Sequence, residues 1–232
     1  MRKTLTVAEM ALREISRRRG VLAILLLLPL AFYLTRRSDH IGQSVRFVFL
    51  GLSWAMSTAA LFAASAARGM EPRLRIGGYH GWQLVLGRLG ALWGLGAVIS
   101  VPYFLLIRFD QRDLRYTSIA LVMALLVLIA PLFGVLLAAV LPRELEGTLV
   151  LLLVVGLQMM MDPSGDASKL LPFWFSREIG TYAIDLTGSG FLFRGLVHAA
   201  VTLAVLAAAL GIASGIRLRR RRHLRFATTV SR

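Results

Sequence analysis

The chain has 232 residues, of which 57% are hydrophobic, and its mean hydropathy is +0.70. Apolar runs long enough to cross a bilayer recur along it while the charges gather in the gaps, which excludes an ordinary soluble domain. Basic residues at helix ends bind anionic lipid headgroups and set the orientation in the membrane, which explains the net charge of +15 and disfavours nucleic-acid binding. The lack of cysteine excludes disulfides and thiolate metal sites.

The apolar runs are continuous rather than alternating, which favours membrane helices over a membrane β-barrel. We predict an all-α membrane protein with a single domain of six transmembrane helices over residues 20–216. An amphipathic interfacial helix at 1–19 precedes this domain, and a basic cytoplasmic tail at 217–232 follows it. Such a chain is a multi-pass protein of the cell membrane, either the bacterial inner membrane or a plasma membrane, in contact with its lipids.

The N-terminal segment has an apolar residue at every fourth position, at Val7, Ala11 and Ile15. Glu9 and Arg13 form an i,i+4 pair opposite, a pattern typical of an interfacial helix. The apolar run from 20 to about 34 is then a retained first span. A cleaved signal peptide is the competing interpretation, but no small-x-small cleavage site follows the run.

Residues 71–88 are a polar interval between the apolar runs at 47–67 and 89–107. Apolar residues recur there at helical spacing while the arginines stay polar, and Gly77, Gly78 and Gly81 break the helix or let it turn. The pattern predicts a short amphipathic helix with Leu74, Ile76, Tyr79, Trp82 and Leu86 on its apolar side. Two interpretations are equally supported: a helix packed on lipid headgroups, or a docking element for a soluble partner.

Small and polar residues mark several of the spans. In the second run, Ser53 and Ser57 either let helices approach closely or line a polar path, and packing is the commoner role. In the third run, Gly90 and Gly94 have the spacing of a helix-contact motif. The fourth run covers 118–141, and the fifth, at 148–161, is short for a full span unless residues from Leu145 onward form its first turn.

The interval 162–190 is polar except for the apolar and aromatic stretch LLPFWF at 170–175. Aromatic residues of this kind favour the headgroup level. The pattern predicts a short re-entrant or surface-lying pair of helices, with Ser176 as a cap between them. The last run, 191–216, ends in a basic stop.

The distribution of Lys and Arg predicts the orientation. With both termini in the cytoplasm, the inner segments hold 18 of the 27 basic residues and the outer segments hold 7. This asymmetry favours six spans with both ends inside, and it places the loop 68–88 in the cytoplasm.

The chain shows no catalytic constellation. It has no Gly-Lys-Ser/Thr phosphate loop, no HExxH motif and no carboxylate cluster within a span, so we expect neither ATP hydrolysis nor a metal or cofactor site in this chain. Arg194 and His198, one turn apart in the last span, are intramembrane polar candidates whose shared face can meet Glu178 or Asp185. The alternative is that Arg194 reaches the headgroups and His198 bonds a neighbouring helix.

Several features combine into a known pattern: the interfacial helix, the six spans, a first cytoplasmic loop ending in WQLVLGRL (82–89), a short second cytoplasmic loop, and an outer LPF (171–173) before the last span. Together they resemble the permease subunits of type 2 ABC transporters over nearly the whole chain. The sequence departs from many relatives after Glu71, where PRLRIGG replaces the pattern Glu-x-Gly-Thr.

The resemblance implies a coupling helix within 71–88 that seats in a separate ATP-binding subunit, which carries the ATP and Mg²⁺. The residues implied in coupling are Glu71, Arg73, Arg75, Tyr79, Trp82, Gln83 and Arg88. It further implies a second permease copy or a homologue, forming a homodimer or heterodimer, and export of an amphiphilic, drug-like, lipid or peptide substrate.

The same resemblance implies that the second and fifth spans face the path. The residues that line the path are then Ser53, Ser57, Gln158 and Met159. The resemblance also implies that the outer segment acts as a lid, through Phe173, Trp174 and Glu178.

Two other classes of function compete with an exporter subunit. The first is a non-transporting membrane anchor or regulatory subunit whose loop recruits a soluble protein. The second is a membrane-embedded enzyme, which the lack of an acid, base or metal cluster disfavours.

Overall fold

The computed structural model describes residues 2–17, 19–37, 42–162 and 165–217 of the chain. Within these ranges every regular element is a helix and no strand occurs. The predicted basic tail lies outside the described residues except for its first position. An all-helical fold is expected in a hydrocarbon environment, because a helix satisfies its backbone hydrogen bonds within one segment.

The described residues form nine α-helices: α1 (Arg2–Arg17), α2 (Arg19–Thr35), α3 (Gln43–Ala66), α4 (Glu71–Ile76), α5 (Gly81–Asp110), α6 (Tyr116–Val140), α7 (Glu144–Met160), α8 (Trp174–Ile184) and α9 (Ser189–Arg217). Short 3₁₀ turns follow α3 and precede α8, at Ala67–Gly69 and Asp166–Leu170.

Four helices are long and apolar enough to cross a membrane: Gln43–Gly69, Gly81–Asp110, Tyr116–Val140 and Ser189–Ile216. The chain is therefore a membrane-embedded protein. The other two predicted spans, α2 and α7, have 17 residues each. At 1.5 Å per residue such a helix is about 25 Å long, slightly less than a typical hydrocarbon core of about 30 Å.

The long helices run up and down, so the bundle has two ends that differ in their connections. The α4 end contains α4 and the last residues of α3 and α6. Arg68, just after α3, donates a hydrogen bond to the carbonyl of Leu141, just after α6, at 2.6 Å and so joins the ends of the two helices. The α8 end holds α8 and the end of α7, where Arg177 donates to the carbonyl of Met161 at 3.2 Å. The last turns of α9 return to the α4 end, since Gly211 lines a groove there with residues of α5.

The third predicted span begins earlier than the sequence suggested. α5 starts at Gly81, where Gln83 accepts a hydrogen bond from the backbone N–H of His80 at 2.9 Å and so closes the first turn. The apolar residues from Leu74 to Leu86 therefore do not share one amphipathic helix, whereas the predicted break at the glycines is confirmed. Residues Trp82, Gln83 and Arg88 belong to a long helix, and only 77–80 separate it from the six-residue α4.

The first helix is amphipathic as predicted, and its apolar side packs against α5. Val7 and Ile15 are buried. A Cβ atom built on Gly87 of α5 would lie 2.7 Å from the carbonyl oxygen of Thr4 and from Val7, so the two helices touch at the backbone level. This contact attaches the N-terminal helix to the bundle at the α4 end.

The predicted helix-contact pair in the third span makes no such contact. A Cβ atom at Gly90 or Gly94 would meet nothing within 4 Å in the described part of the chain. The close helix contact lies instead between α3 and α6. A Cβ atom on Gly134 would lie 2.1 Å from the carbonyl oxygen of Ser57, and the Ser57 hydroxyl donates to the carbonyl of Ala130 at 3.0 Å.

In the segment before the last helix, α8 is buried rather than lying on the surface, while the 3₁₀ turn before it is largely exposed. Phe173 and Phe175 at the start of α8 are fully buried, and Phe173 makes an edge-to-face contact with Phe133, with ring centroids 5.8 Å apart. Ser176 is not a cap: it is the third residue of α8, and its hydroxyl donates to the carbonyl of Phe173 at 2.8 Å.

The close α3–α6 contact predicts that adding one methyl group at Gly134 destabilises the fold. We expect Gly134→Ala to lower the free energy of unfolding by about 1–3 kcal/mol, because the new Cβ collides with backbone and forces the helices apart. Unfolding of the purified chain in mixed micelles measures the change. The control is Gly156→Ala in α7, where a Cβ meets no atom within 4 Å and is expected to leave stability unchanged or raised. Equal stability of both variants would contradict the assigned contact.

Candidate functional site

The α4 end contains a buried ion pair. Arg88 donates from both terminal nitrogens to Glu71 Oε1, at 3.2 and 3.1 Å, and the two side chains are only 6% and 4% exposed. Glu71 is the first residue of α4, and Arg88 lies two turns into α5. An acidic residue in the first turn also stabilises the helix dipole. The pair therefore fastens α4 onto α5 across the connector 77–80.

This burial divides the residues predicted for coupling into two groups. Glu71, Gln83 and Arg88 are buried and cannot meet a soluble partner directly, so they position the surface rather than form it. The exposed or half-exposed residues are Arg73, Arg75, Tyr79 and Trp82, and Ile76 joins them with 88% of its surface exposed.

The exposed side of α4 is a basic surface with apolar residues in its middle, which we call the α4 surface; it consists of Arg73, Arg75, Ile76, Tyr79 and Trp82. The N-terminal helix supports it from the side. Lys3 donates to the carbonyl of Gly78 at 3.0 Å, and its ammonium lies 5.3 Å from the centre of the Tyr79 ring. The turn between α4 and α5 is thus held by residues from α1.

A cavity of about 480 Å³ lies beside the buried ion pair, between α1 and α4. Its wall carries charges of both signs, from Arg13, Glu14, Arg17, Glu71 and Arg88. Since Arg13 already pairs with Glu9 at 2.5 Å and Arg88 with Glu71, this cavity has no unbalanced charge that would select a ligand.

The residues predicted to line a path lie in two different places. Ser53 and Ser57 are buried in the helix packing, and the Ser53 hydroxyl donates to the carbonyl of Leu50 at 2.8 Å. In this structure they serve helix contact, the commoner of the two roles considered. Gln158 and Met159 lie elsewhere, at the wall of a second cavity near the α8 end.

The polar pair of the last span does reach the segment before it. Arg194 donates to Glu178 Oε2 at 2.8 Å, and the Glu178 side chain is 8% exposed. The expected contact is confirmed for Glu178, whereas Asp185 pairs with Arg46 at 2.5 Å. His198 Nε2 lies 2.9 Å from the carbonyl oxygen of Lys169, and the imidazole packs 5.1 Å from the ring of Trp174, between centroids.

Sequence reasoning missed the arginines that close the helix ends. Arg115 donates to the carbonyls of Tyr182 and Thr187, at 3.0 and 2.9 Å, and fixes α8 to the start of α6. The pKa of the Arg177 guanidinium is lowered, first by burial and then by the positive charge of Arg46. Counting basic residues for topology could not find these bonds, because their acceptors are backbone carbonyls distant in sequence.

Among the residues that the structure describes, no three His, Asp or Glu side chains lie together as metal ligands would. A scan against models of known protein families and a search of curated proteins both find no match to this chain.

The buried ion pair predicts a large loss when one partner alone is removed. We expect Glu71→Gln to lower the free energy of unfolding by about 3–5 kcal/mol, since it leaves the Arg88 charge buried without a carboxylate. The double variant Glu71→Gln, Arg88→Met should recover most of that loss. The measurement is unfolding in mixed micelles. Glu9→Gln, in an exposed pair, is the control and should change little. A double variant no more stable than Glu71→Gln would refute the pairing.

The Arg194–Glu178 bond predicts a smaller loss at the other end. We expect Arg194→Gln to lower the free energy of unfolding by about 1–3 kcal/mol, because the buried Glu178 carboxylate loses a charged donor. Thermal unfolding in detergent measures it, and Arg194→Gln combined with Glu178→Gln should restore stability. Lys169→Gln is the control, since its partner Asp166 is 96% exposed. Loss of stability in the control but not in Arg194→Gln would contradict the assignment.

Proposed function

We propose that this chain is the membrane subunit of an ATP-driven exporter of the type 2 ABC permease kind, with ATP hydrolysis carried out by a separate subunit. The α4 surface is the observation that carries the proposal. A six-residue helix at one end of a membrane bundle, with an 88% exposed isoleucine among arginines, has the composition of a protein contact rather than of a solvated loop.

The proposed topology has six spans, α2, α3, α5, α6, α7 and α9, with both termini in the cytoplasm. Two observations support it: α1 and the last described turns of α9 lie at the α4 end, and with both termini inside the sequence places 18 of its 27 basic residues in the inner segments. The shorter α2 and α7 are then accommodated by local thinning of the bilayer. The α4 surface faces the cytoplasm in this arrangement.

The contacts of α4 suggest how a partner's movement would reach the membrane. The Glu71–Arg88 pair connects α4 to α5, and the short turn Ala67–Gly69 connects it to α3. Arg68 in that turn donates to the carbonyls that end α6. A push on α4 would therefore move α3, α5 and α6 together. In the proposed mechanism, closure of the ATPase drives this movement, and a path opens between two permease copies.

A non-transporting anchor or regulatory subunit is the second candidate, and one observation favours it. Ser53 and Ser57, which the resemblance assigns to the path, are buried in the contact between helices of this chain. An anchor would use the same α4 surface to recruit its partner but would need no path.

The test of the proposal is purification of the chain from its native membrane in mild detergent, with identification of co-purifying proteins and an ATPase assay. We expect an ATP-binding cassette protein whose activity responds to this chain. Ile76→Asp should reduce its recovery at least tenfold, because a charge replaces the apolar centre of the contact. The matched control is Leu170→Asp, an 86% exposed leucine before α8, which should leave recovery unchanged.

Recovery of the ATPase with ATP-dependent movement of an amphiphilic dye in reconstituted vesicles would establish the exporter. Recruitment that depends on Ile76 without such movement would establish the anchor instead. Absence of any ATPase from the wild-type preparation, or equal recovery with Ile76→Asp, would overturn the proposal.

A further inference from the structure

A cavity of about 260 Å³ opens near the α8 end, between α3, α7 and α8. We call it the α8-end cavity. Its polar wall consists of Gln43, Arg46, Gln158, Ser176 and Arg177. Two of these side chains are guanidinium groups, and the wall contains no carboxylate among the described residues that line it.

The two arginines of this wall have hydrogen-bonding capacity to spare. Arg177 donates to the Met161 carbonyl, and a guanidinium has five N–H groups. Arg46 gives one terminal nitrogen to Asp185, while its Nε is buried with no hydrogen-bond partner among the described residues. A buried donor without a partner costs free energy that a bound acceptor would return.

Gln158 offers a third polar group to the same space. Its Oε1 is buried and has no hydrogen-bond partner within the described chain. Rotation of the amide by 180° would turn its NH₂ group to that position, so the side chain can donate to an anion as readily as it can accept. The Ser176 hydroxyl, in contrast, is already used by the carbonyl of Phe173.

The carboxylates that pair with or attract the two arginines lie outside the cavity wall. Asp185 accepts from a terminal nitrogen of Arg46, and Glu178 is bonded to Arg194. Asp162 and Glu178 attract Arg177, but the closeness of Arg46 opposes them, and neither carboxylate lines the cavity. A ligand that enters therefore meets two like charges in a partly buried site, where an anion is stabilised more strongly than in water.

The remaining wall is apolar. Phe47, Leu50 and Met159 line it, and Met159 is 49% exposed, so the cavity continues into an apolar surface of the bundle. The cavity volume is several times the volume that one molecule occupies in liquid water, about 30 Å³. It therefore suits a headgroup with accompanying water. The site thus joins a cationic interior to an apolar mouth.

We propose that the α8-end cavity binds an oxyanion between Arg46 and Arg177, and that Phe47 and Met159 contact the apolar part of the molecule when the oxyanion belongs to a lipid. Arginine forks match the geometry of phosphate and carboxylate oxygens. The oxyanion belongs either to a membrane phospholipid or to a free ion. The inference goes beyond the proposed transport function and does not need it, since equilibrium binding requires no ATPase.

The experiment is calorimetric titration of the full chain in dodecyl maltoside with three probes: dioctanoyl phosphatidylglycerol, dioctanoyl phosphatidylcholine and inorganic phosphate. We expect the anionic lipid to bind more tightly than the zwitterionic one. Arg177→Gln should weaken its binding at least tenfold, because a charged donor is lost. Arg108→Gln is the matched control at the same end of the bundle. The Arg108 guanidinium lies 4.4 Å from the Tyr116 ring centre, outside the cavity wall, so binding should not change.

A second variant keeps the test valid if Arg177→Gln does not fold. Gln158→Leu removes an amide whose Oε1 has no hydrogen-bond partner within the described chain, so it should fold as well as the wild type and still weaken lipid binding several-fold. Displacement of the lipid by inorganic phosphate supports a site for the oxyanion alone. Binding of the lipid without displacement supports a membrane phospholipid as the ligand. Equal binding of the two lipids, or binding unchanged in both cavity variants, overturns the inference.

Discussion

The close approach of α3 and α6 is the contact on which the rest of the bundle depends. It exists because Gly134 has no side chain, which lets the Ser57 carbonyl rest directly against the backbone of α6. In a bilayer the hydrophobic effect does not drive helices together, so close packing and small residues must do so. Two further helices pack on α3. On α3, Pro29 of α2 meets Gly51, and Gly147 of α7 meets Leu61.

Arginine side chains hold the two ends of this assembly. Arg68 caps the carbonyl end of α6, Arg115 reaches a carbonyl in the last turn of α8 and another after it, and Arg177 reaches the residue that follows α7. A helix leaves its last carbonyls without intrahelical partners, and a charged donor is the strongest group to satisfy them. The high basic content of the chain is thus partly structural, in addition to its role in topology.

The two ends of the bundle differ in whether their buried charges are balanced within the chain. At the α4 end the buried charges are balanced within the chain, as in the Glu71–Arg88 pair, and the α4 surface around Ile76 is exposed. At the α8 end the imbalance is internal, with Arg46 and Arg177 facing one cavity. The first arrangement suits a macromolecular partner and the second a small anion, because a cavity of this size admits only a headgroup.

The sequence by itself determined that the chain is helical and membrane-embedded, since continuous apolar runs can satisfy their backbone in hydrocarbon only as helices. It also determined the amphipathic first helix, whose spacing is local, and it named Glu178 and Asp185 as alternative partners of Arg194, of which the structure shows Glu178. Only the tertiary structure decided that Arg88 turns inward to Glu71, that Ser57 packs against α6, and that Arg46 meets Arg177. Each of these depends on helices far apart in sequence approaching at one place, and periodicity records only which side of a helix is apolar.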